Sequence, residues 1–247
     1  MFEFTISSSE NTDIIENIFL NLKGAIDAVK GIIVKQQNLK TQSLCLAVDN
    51  ADKEYIKAVI LDSISEGIIN EYKYDYLKNN ICINIRNAVA YSAFIRALVV
   101  FDRQTDKDII KKNLVLENKL NIDSFYNFRL EQLKSRWNDI ASVVNESIPI
   151  MLQNKSVADI TRYFVNSTNK EVNELHLTLS DNNIQLNFEN QLAALSFEPK
   201  DDYISDVLTE VISISPKKII VHGCLEKYKE FEQALSAVFY DSVFIVK

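Results

Sequence analysis

Glycine, proline, cysteine and histidine are all scarce in this sequence. Only four Gly and three Pro occur among 247 residues. Folds built from many tight turns, such as β-sandwiches, depend on these two residue types, so their scarcity favours long helices. The three cysteines, Cys45, Cys82 and Cys224, are widely spaced and form no Cys-x-x-Cys pair, and only two histidines could assist them. The sequence therefore predicts neither a disulfide framework nor a metal site.

Motifs for cofactors and nucleic acids are also absent. The single Gly223 cannot replace a glycine-rich loop, in which several backbone amides approach a phosphate, so no cofactor is predicted. The formal charge of -7 gives an acidic surface that repels nucleic acid, and the pairs Lys111-Lys112 and Lys217-Lys218 are too small to change this. Residues Met1–Ile6 lack the features of a secretory signal, so we expect a cytoplasmic protein.

The most apolar stretch, Ile81–Phe101, is long enough to suggest a membrane span. It contains Arg86 and Arg96, however, and each charge near a bilayer centre would cost about 2.5–3.5 kcal/mol. A central helix buried on most sides is the better interpretation. We therefore expect no membrane partner.

The composition is that of a folded globular protein, with 47% hydrophobic and 25% charged residues. Hydrophobic periodicity predicts a helix-rich α+β fold in three segments that are compatible with one globular body. The first segment, residues 1–80, is predicted to be a small β-α-β-β unit followed by a helix. Its predicted elements are strand Phe2–Ile6, a helix from Asn11 or Thr12 to about Lys30, strands Ile32–Val34 and Leu44–Val48, and a helix capped by Asp49 or Asp52 that reaches Tyr76 or Leu77.

The second segment, residues 81–170, is predicted to be a central helical region, and the third, residues 171–247, a C-terminal α/β unit. In the third segment the period changes to two, which predicts a hairpin of 172–179 with 184–188, and a β-α-β unit closes the chain. The second segment is predicted to contain four helices. The first lies within Ile81–Phe101, and a weaker one follows the polar Asp102–Asp108 turn. The third is capped by Asp123 and is kinked or ended by Pro149, and the fourth is Val157–Val165. In the third segment the predicted helices are one after Pro199 and Glu226–Phe239.

His222 is the best single candidate for a ligand-binding residue. It ends a predicted strand, and ligands in open α/β sheets usually bind at the carboxyl ends of strands. The alternative is that its imidazole only bonds a neighbouring loop. His176 is predicted to lie on the exposed face of the hairpin and is assigned no role. Because no nucleophile or base has an identifiable partner, no catalytic residue is predicted.

Other charged side chains favour structural roles. The carboxylates of Asp62, Glu66 and Glu71 lie at helical spacing, and a solvated helix face explains them better than a metal site. Arginines on helices that otherwise pack inward often pair with carboxylates, and we prefer this interpretation to ligand binding. These arginines are Arg129, Arg136 and Arg162.

Three segments, Ile122–Leu130, Ile160–Val165 and Ile214–His222, resemble motifs of the YtxC-like family, which is associated with sporulation. The resemblance extends from about Lys53 to the carboxyl end and is weakest in the first eighty residues. Ser124 replaces the glycine of the first motif, and Ser147-Ile-Pro149 stands where the family tends to have an acidic "EKEY" stretch. The similar segments are Ile122–Leu130 to "GF(I/V)xFRL", Ile160–Val165 to "LLRYFV", and Ile214–His222 to "APKKIIIH".

This resemblance implies a divergent family member with a connection to endospore formation and no established activity. The polar members of its motifs are the candidate ligand-binding residues Arg129, Arg162, Lys217, Lys218 and His222. Our leading hypothesis is a non-enzymatic cytosolic protein that acts through contacts with an unknown protein. A homo-oligomer is compatible with this hypothesis. The alternative is a module that binds a small molecule or phosphate at a site near His222. This alternative includes hydrolysis of the bound molecule.

Overall fold

The chain forms two compact units in the computed structural model. Unit 1 comprises Met1–Asn80 and Arg103–Ser142, and unit 2 comprises Ile81–Asp102 and Val143–Lys247. The predicted central region, 81–170, contributes to both units, and the three-segment division of the chain stays a prediction. The structure describes residues 1–11, 13–38, 40–170, 172–181, 183–189, 195–198, 203–223 and 228–246.

Unit 1 contains a four-stranded sheet in the order β2-β3-β1-β4. Strands β1 and β3 are antiparallel, as are β2 and β3, which confirms the predicted β-α-β-β unit, while β1 and β4 are parallel. Alternate residues of β1 and β3 are buried, because one face of the sheet packs on helices. The elements are β1 Phe2–Ser8, α1 Asp13–Ala28, β2 Ile32–Gln37, β3 Gln42–Val48 and β4 Lys119–Asn121.

The helices of unit 1 bury the apolar stripes that the sequence predicts. In α1 the residues Ile14, Ile15, Ile18, Leu22 and Ile26 are buried. Helix α2 passes through a π-helical segment into α3, and a Cβ at Gly67 would lie 2.8 Å from Ile14, so glycine permits this close packing of α2 on α1. The elements are α2 Lys53–Gly67, the π segment Ile68–Lys73, α3 Tyr74–Asn80, α5 Arg103–Asn113, α6 Ile122–Arg129 and α7 Glu131–Met151, which continues into unit 2.

Four helix boundaries differ from the prediction. Residues 81–87 are not helical, and α4 begins only at Ala88, where the Asn87 side chain accepts a hydrogen bond from the Ala90 amide. Helix α5 already begins at Arg103, so the predicted polar turn is mostly helical. Asn121, and not Asp123, caps α6, and α6 ends before α7 begins. The Asp123 carboxylate is instead directed toward a buried tyrosine and two serines.

Unit 2 contains a five-stranded sheet in the order β7-β6-β5-β8-β9. The predicted hairpin is confirmed as the antiparallel pair β5 and β6, and the parallel pairing of β8 with β9 confirms the closing β-α-β unit. Helices α4, α8, α9 and α10 supply buried residues of its core. The elements are α4 Ala88–Phe101, α8 Val157–Ser167, β5 Val172–Ser180, β6 Asn183–Phe188, β7 Leu195–Phe197, α9 Tyr203–Ile214, β8 Pro216–His222, α10 Lys229–Phe239 and β9 Val243–Val246.

The predicted helix-rich α+β class is thus confirmed. Among the described residues, no helix combines the length and the hydrophobicity that a membrane crossing requires. Pro149 lies within α7, which ends two residues later at Met151. Thr12, Pro199, Cys224 and Glu226, which the predictions name, lie outside the described ranges. The described parts of the helices predicted after Pro199 and over Glu226–Phe239 are observed as α9 and α10.

Candidate functional site

One face of the unit 2 sheet displays polar side chains from two neighbouring parallel strands. Leu175, Leu177 and Leu179 of β5 are buried, so the alternate residues of this strand lie on the other face. The same alternation holds in β8, where Ile219 and Val221 are buried. We call this the open face of unit 2, defined by Glu174, His176, Thr178, Lys218, Ile220, His222, Phe244 and Val246.

Two histidines meet on the open face. The His176 Nδ1 atom lies 2.9 Å from the His222 Nε2 atom, and the two rings are nearly parallel, at 10°, with centroids 5.2 Å apart. His222 is paired in register with Thr178, and His176 with Ile220, so the imidazoles reach each other diagonally. His222 therefore bonds a neighbouring strand, where the sequence alternative expected a loop.

His176 was the member of this pair that sequence reasoning missed. Alternation placed it on the exposed face, which is correct, since its side chain is 42% exposed. No sequence signal indicated that β5 would become the parallel neighbour of β8. The Nε2 atom of His176 lies 3.9 Å from Glu174 Oε2, so both ring nitrogens face polar groups.

The two predicted lysines lie on opposite faces of β8. Lys218 lies on the open face, where its Nζ donates to Glu174 Oε1 at 3.0 Å and lies 5.1 Å from the centroid of the Phe244 ring. Lys217 alternates to the other face and donates to Asn173 Oδ1 at 2.9 Å. Only Lys218 therefore shares the face of His222.

The two predicted arginines belong to different units. Arg129 is exposed at the end of α6 in unit 1. In unit 2, Arg162 of α8 donates from Nε and Nη2 to the Ala237 carbonyl oxygen, at 3.1 and 2.6 Å. Its guanidinium also lies 3.5 Å from Asp159 and 5.3 Å from the Tyr240 ring centroid. These contacts attach α8 to the last turn of α10.

Replacing Arg162 with alanine should lower the free energy of unfolding by about 1–2 kcal/mol, because the last-turn carbonyl of α10 loses a charged donor. Arg162→Lys should restore part of the loss, since an ammonium lacks the planar fork that donates twice. Urea denaturation measures both. Arg129→Ala is the matched control and should change stability by less than about 0.5 kcal/mol. Equal effects of the two alanine variants would contradict the role of Arg162.

A second polar cluster lies in the interior of unit 1. Lys73, the last residue of the π segment, is fully buried with Asp106 of α5, and their charged atoms are 2.6 Å apart. The indole nitrogen of Trp137 donates to the same carboxylate at 3.2 Å, and Arg136 Nε lies 3.7 Å from its other oxygen. Because neither Lys73 nor Asp106 is exposed to solvent, the arrangement suits architecture and not binding.

Acidic residues of α2 extend this cluster toward the surface. Glu66 lies 2.5 Å from Lys107 and 3.7 Å from Arg103, and Asp62 lies 2.8 Å from Lys111. Burial alone would raise the pKa of Asp62, but the hydrogen bond from Lys111 and the charges of Lys107 and Lys111 hold it below its usual value. The expected solvated helix face is therefore wrong for Glu66, because basic residues of α5 cover it.

Asp123 forms a third polar group, also in unit 1. Its carboxylate accepts hydrogen bonds from the Ser8 hydroxyl at 2.8 Å, the Ser9 amide at 2.6 Å and the Tyr72 hydroxyl at 2.6 Å. Burial would raise the pKa of Asp123, but these hydrogen bonds together hold it below its usual value. Burial and the bond to Asp123 raise the pKa of Tyr72, which keeps its hydroxyl a donor.

A surface depression of about 830 Å³ lies against the unit 1 sheet. Its lining includes Phe2, Thr5, Ile32, Val34 and Cys45. Cys45 is a free thiol, and the Thr5 hydroxyl lies 3.8 Å from its sulfur. None of the residues predicted to bind a ligand lines this depression.

The architecture defines a helix-rich α+β protein in which unit 1 buries the Lys73–Asp106 ion pair and unit 2 displays a histidine pair. The model of the YtxC-like family matches residues 48–244. The chain therefore belongs to the YtxC-like family, which confirms the resemblance found in the sequence. No curated protein and no solved structure matches the chain.

Proposed function

We propose that this YtxC-like chain is a non-catalytic cytosolic protein that serves endospore formation by binding another protein along strand β9. The observation that supports it is the exposure of three consecutive apolar residues in this outer strand. Phe244 is 47% exposed, Ile245 44% and Val246 47%. Among the described strands, β9 has one neighbour, β8, so its other edge offers backbone donors and acceptors.

The side chains of β9 specify the chemistry of the partner. Phe244 and Val246 lie on the open face, beside Ile220 and His222, while Ile245 points to the opposite face. A strand added to this edge would pair its backbone with β9 and bury apolar side chains on both faces of the sheet. The partner is therefore an extended protein segment with apolar residues at successive positions.

The alternative, a small-molecule or phosphate-binding module near His222, has weaker support from the lysines. Lys217 and Lys218 lie on opposite faces of β8, and each donates to a neighbouring side chain of β5. A phosphate would have to displace these contacts. The observation that favours a ligand is the approach of His176 to His222.

Affinity capture from sporulating cells of an endospore-forming host tests the proposal. The wild-type chain should retain a specific protein at near-stoichiometric level, and Ile245→Lys should lose it, because a charge on the edge blocks strand addition. Val115→Lys, at an exposed apolar position of unit 1, is the matched control and should retain the partner. Equal retention by both variants, or no partner at all, would reject β9 as the binding edge.

Two further measurements separate the alternatives. Light scattering of the purified chain and of Ile245→Lys shows whether the added strand belongs to a second copy, since such a dimer would dissociate in the variant. A thermal-shift screen with metabolites and inorganic phosphate tests the ligand hypothesis, because a bound ligand stabilises the native state. A saturable shift lost in His222→Ala would favour the module over the interaction protein.

A further inference from the structure

The histidine pair has the dimensions of two metal ligands. Imidazole nitrogens bind Zn²⁺ at about 2.0–2.1 Å, so two ligands of one ion lie about 2.9–3.4 Å apart, depending on whether their angle is octahedral or tetrahedral. The observed distance from His176 Nδ1 to His222 Nε2 is 2.9 Å, which is also a hydrogen-bond distance, so an ion would bind the tautomers in which both of these nitrogens are unprotonated. We propose that these two imidazoles bind one divalent transition-metal ion, of the class of Zn²⁺, Ni²⁺ and Co²⁺, on the open face of unit 2.

The pair is held in place by regular structure. His176 and His222 belong to β5 and β8, which are hydrogen-bonded neighbours in the middle of the sheet. Sites built on adjacent strands are more precise than sites on loops, because the backbone fixes both side-chain origins. The His176 side chain is 42% exposed and His222 is partly exposed, so an ion can reach the pair from solvent.

Glu174 supplies a fitting outer partner. Metal-binding histidines commonly donate their second ring N–H to a carboxylate, which orients the ring and makes it a better ligand. The second nitrogen of His176, Nε2, lies 3.9 Å from Glu174 Oε2, and Lys218 holds the other oxygen of Glu174 at 3.0 Å. Glu174 and Lys218 are the charged residues that the described strands place on this face beside the pair.

The ligand set limits the metal and its strength of binding. Imidazoles prefer Zn²⁺, Ni²⁺ and Co²⁺ over Mg²⁺ or Ca²⁺, which take oxygen ligands. Within the described ranges, no group of three or more His, Cys, Asp or Glu residues could hold a metal ion. Among the described residues, the two imidazoles are therefore the proposed protein ligands of the ion. The cysteine and histidine counts predicted no metal site, and they did not indicate that the two histidines would meet.

Calorimetric titration of the 247-residue chain with Ni²⁺ tests the site, because imidazole is a favourable ligand of Ni²⁺. We expect saturable binding of one ion per chain and a rise in melting temperature. His176→Ala and His222→Ala should each abolish both, and Glu174→Gln should weaken binding about tenfold. His222→Gln, which keeps a polar side chain of similar size, should also fail to bind. Lys217→Ala, on the opposite face of β8, should bind as the wild type does.

The three cysteines are competing ligands, so the titration is repeated with Cys45, Cys82 and Cys224 all replaced by serine. Binding in this variant that still depends on both histidines supports the site. No saturable binding up to millimolar Ni²⁺, or binding unaffected by the histidine variants, would overturn it. The outcome is independent of strand addition, because Ile245→Lys leaves both histidines in place.

Discussion

Replacing Lys73 with methionine should lower the free energy of unfolding by about 3–5 kcal/mol, measured by urea denaturation. Lys73 and Asp106 are both fully buried, with their charged atoms 2.6 Å apart. Removing the ammonium leaves in the interior a carboxylate that accepts a hydrogen bond from Trp137 and lies 3.7 Å from Arg136 Nε. A buried charge without its partner is among the largest single-residue penalties in proteins.

Two variants test whether loss of the Lys73–Asp106 ion pair causes the decrease in the free energy of unfolding. In Lys73→Met combined with Asp106→Leu, part of the lost stability should return, because apolar side chains of similar volume replace the unpaired charge, while the Trp137 indole N–H loses its acceptor. Lys111→Met removes the lysine of a half-exposed pair with Asp62 and should cost less than about 1 kcal/mol. If Lys73→Met and Lys111→Met were equally mild, the buried pair would not stabilise unit 1.

Replacing Asp123 with asparagine should cost about 2–4 kcal/mol at about pH 7, because the hydrogen bonds from Ser8, Ser9 and Tyr72 lose a charged acceptor. The amide group of asparagine also places a donor against these donors. Urea denaturation measures the loss. Asp139→Asn, at an exposed position of α7, is the control and should change stability by less than about 0.5 kcal/mol.

The contribution of Asp123 to the free energy of unfolding should decrease as the pH falls. Its pKa in the folded state lies below the usual value, so the unfolded chain binds a proton more readily. The stabilisation is fully present above the unfolded pKa of about 3.9 and is lost as pH falls through the lower folded value. The difference between wild type and Asp123→Asn should therefore shrink at about pH 3. If the difference in the free energy of unfolding stayed constant between about pH 7 and about pH 3, the charge of the Asp123 carboxylate would not be what stabilises the site.

Local pattern predicted much of the fold because helices and hairpins satisfy their hydrogen bonds among near neighbours in sequence. The stripe of α1 and the alternation of β5 and β6 could be interpreted directly from residue spacing. Boundaries were less accurate where polar side chains had two possible roles. Aspartate is a common helix-capping residue, but Asn121 caps α6. The Asp123 carboxylate instead accepts a hydrogen bond from Tyr72, which is 51 positions away in the chain.

Of the two histidines in the candidate site, only His222 was predicted to bind a ligand, because the site depends on a contact between segments far apart in sequence. His222 was identified from its place at a strand end, and His176 was correctly assigned to an exposed face. Their meeting requires that β5 lie beside β8, although 46 positions separate the two histidines. A pairing of this kind is decided by how the helices cover the sheet, and no local spacing specifies it.

The sequence by itself determined the α+β class, the helical stripes, the strand alternation and membership of the YtxC-like family, because each depends on short-range pattern or on motifs. The tertiary structure decided which distant charges became partners. Lys73 meets Asp106 and His176 meets His222 only after chain segments far apart in sequence have packed. The reason is physical: burial and sheet pairing are properties of the whole unit, whereas periodicity is a property of each segment.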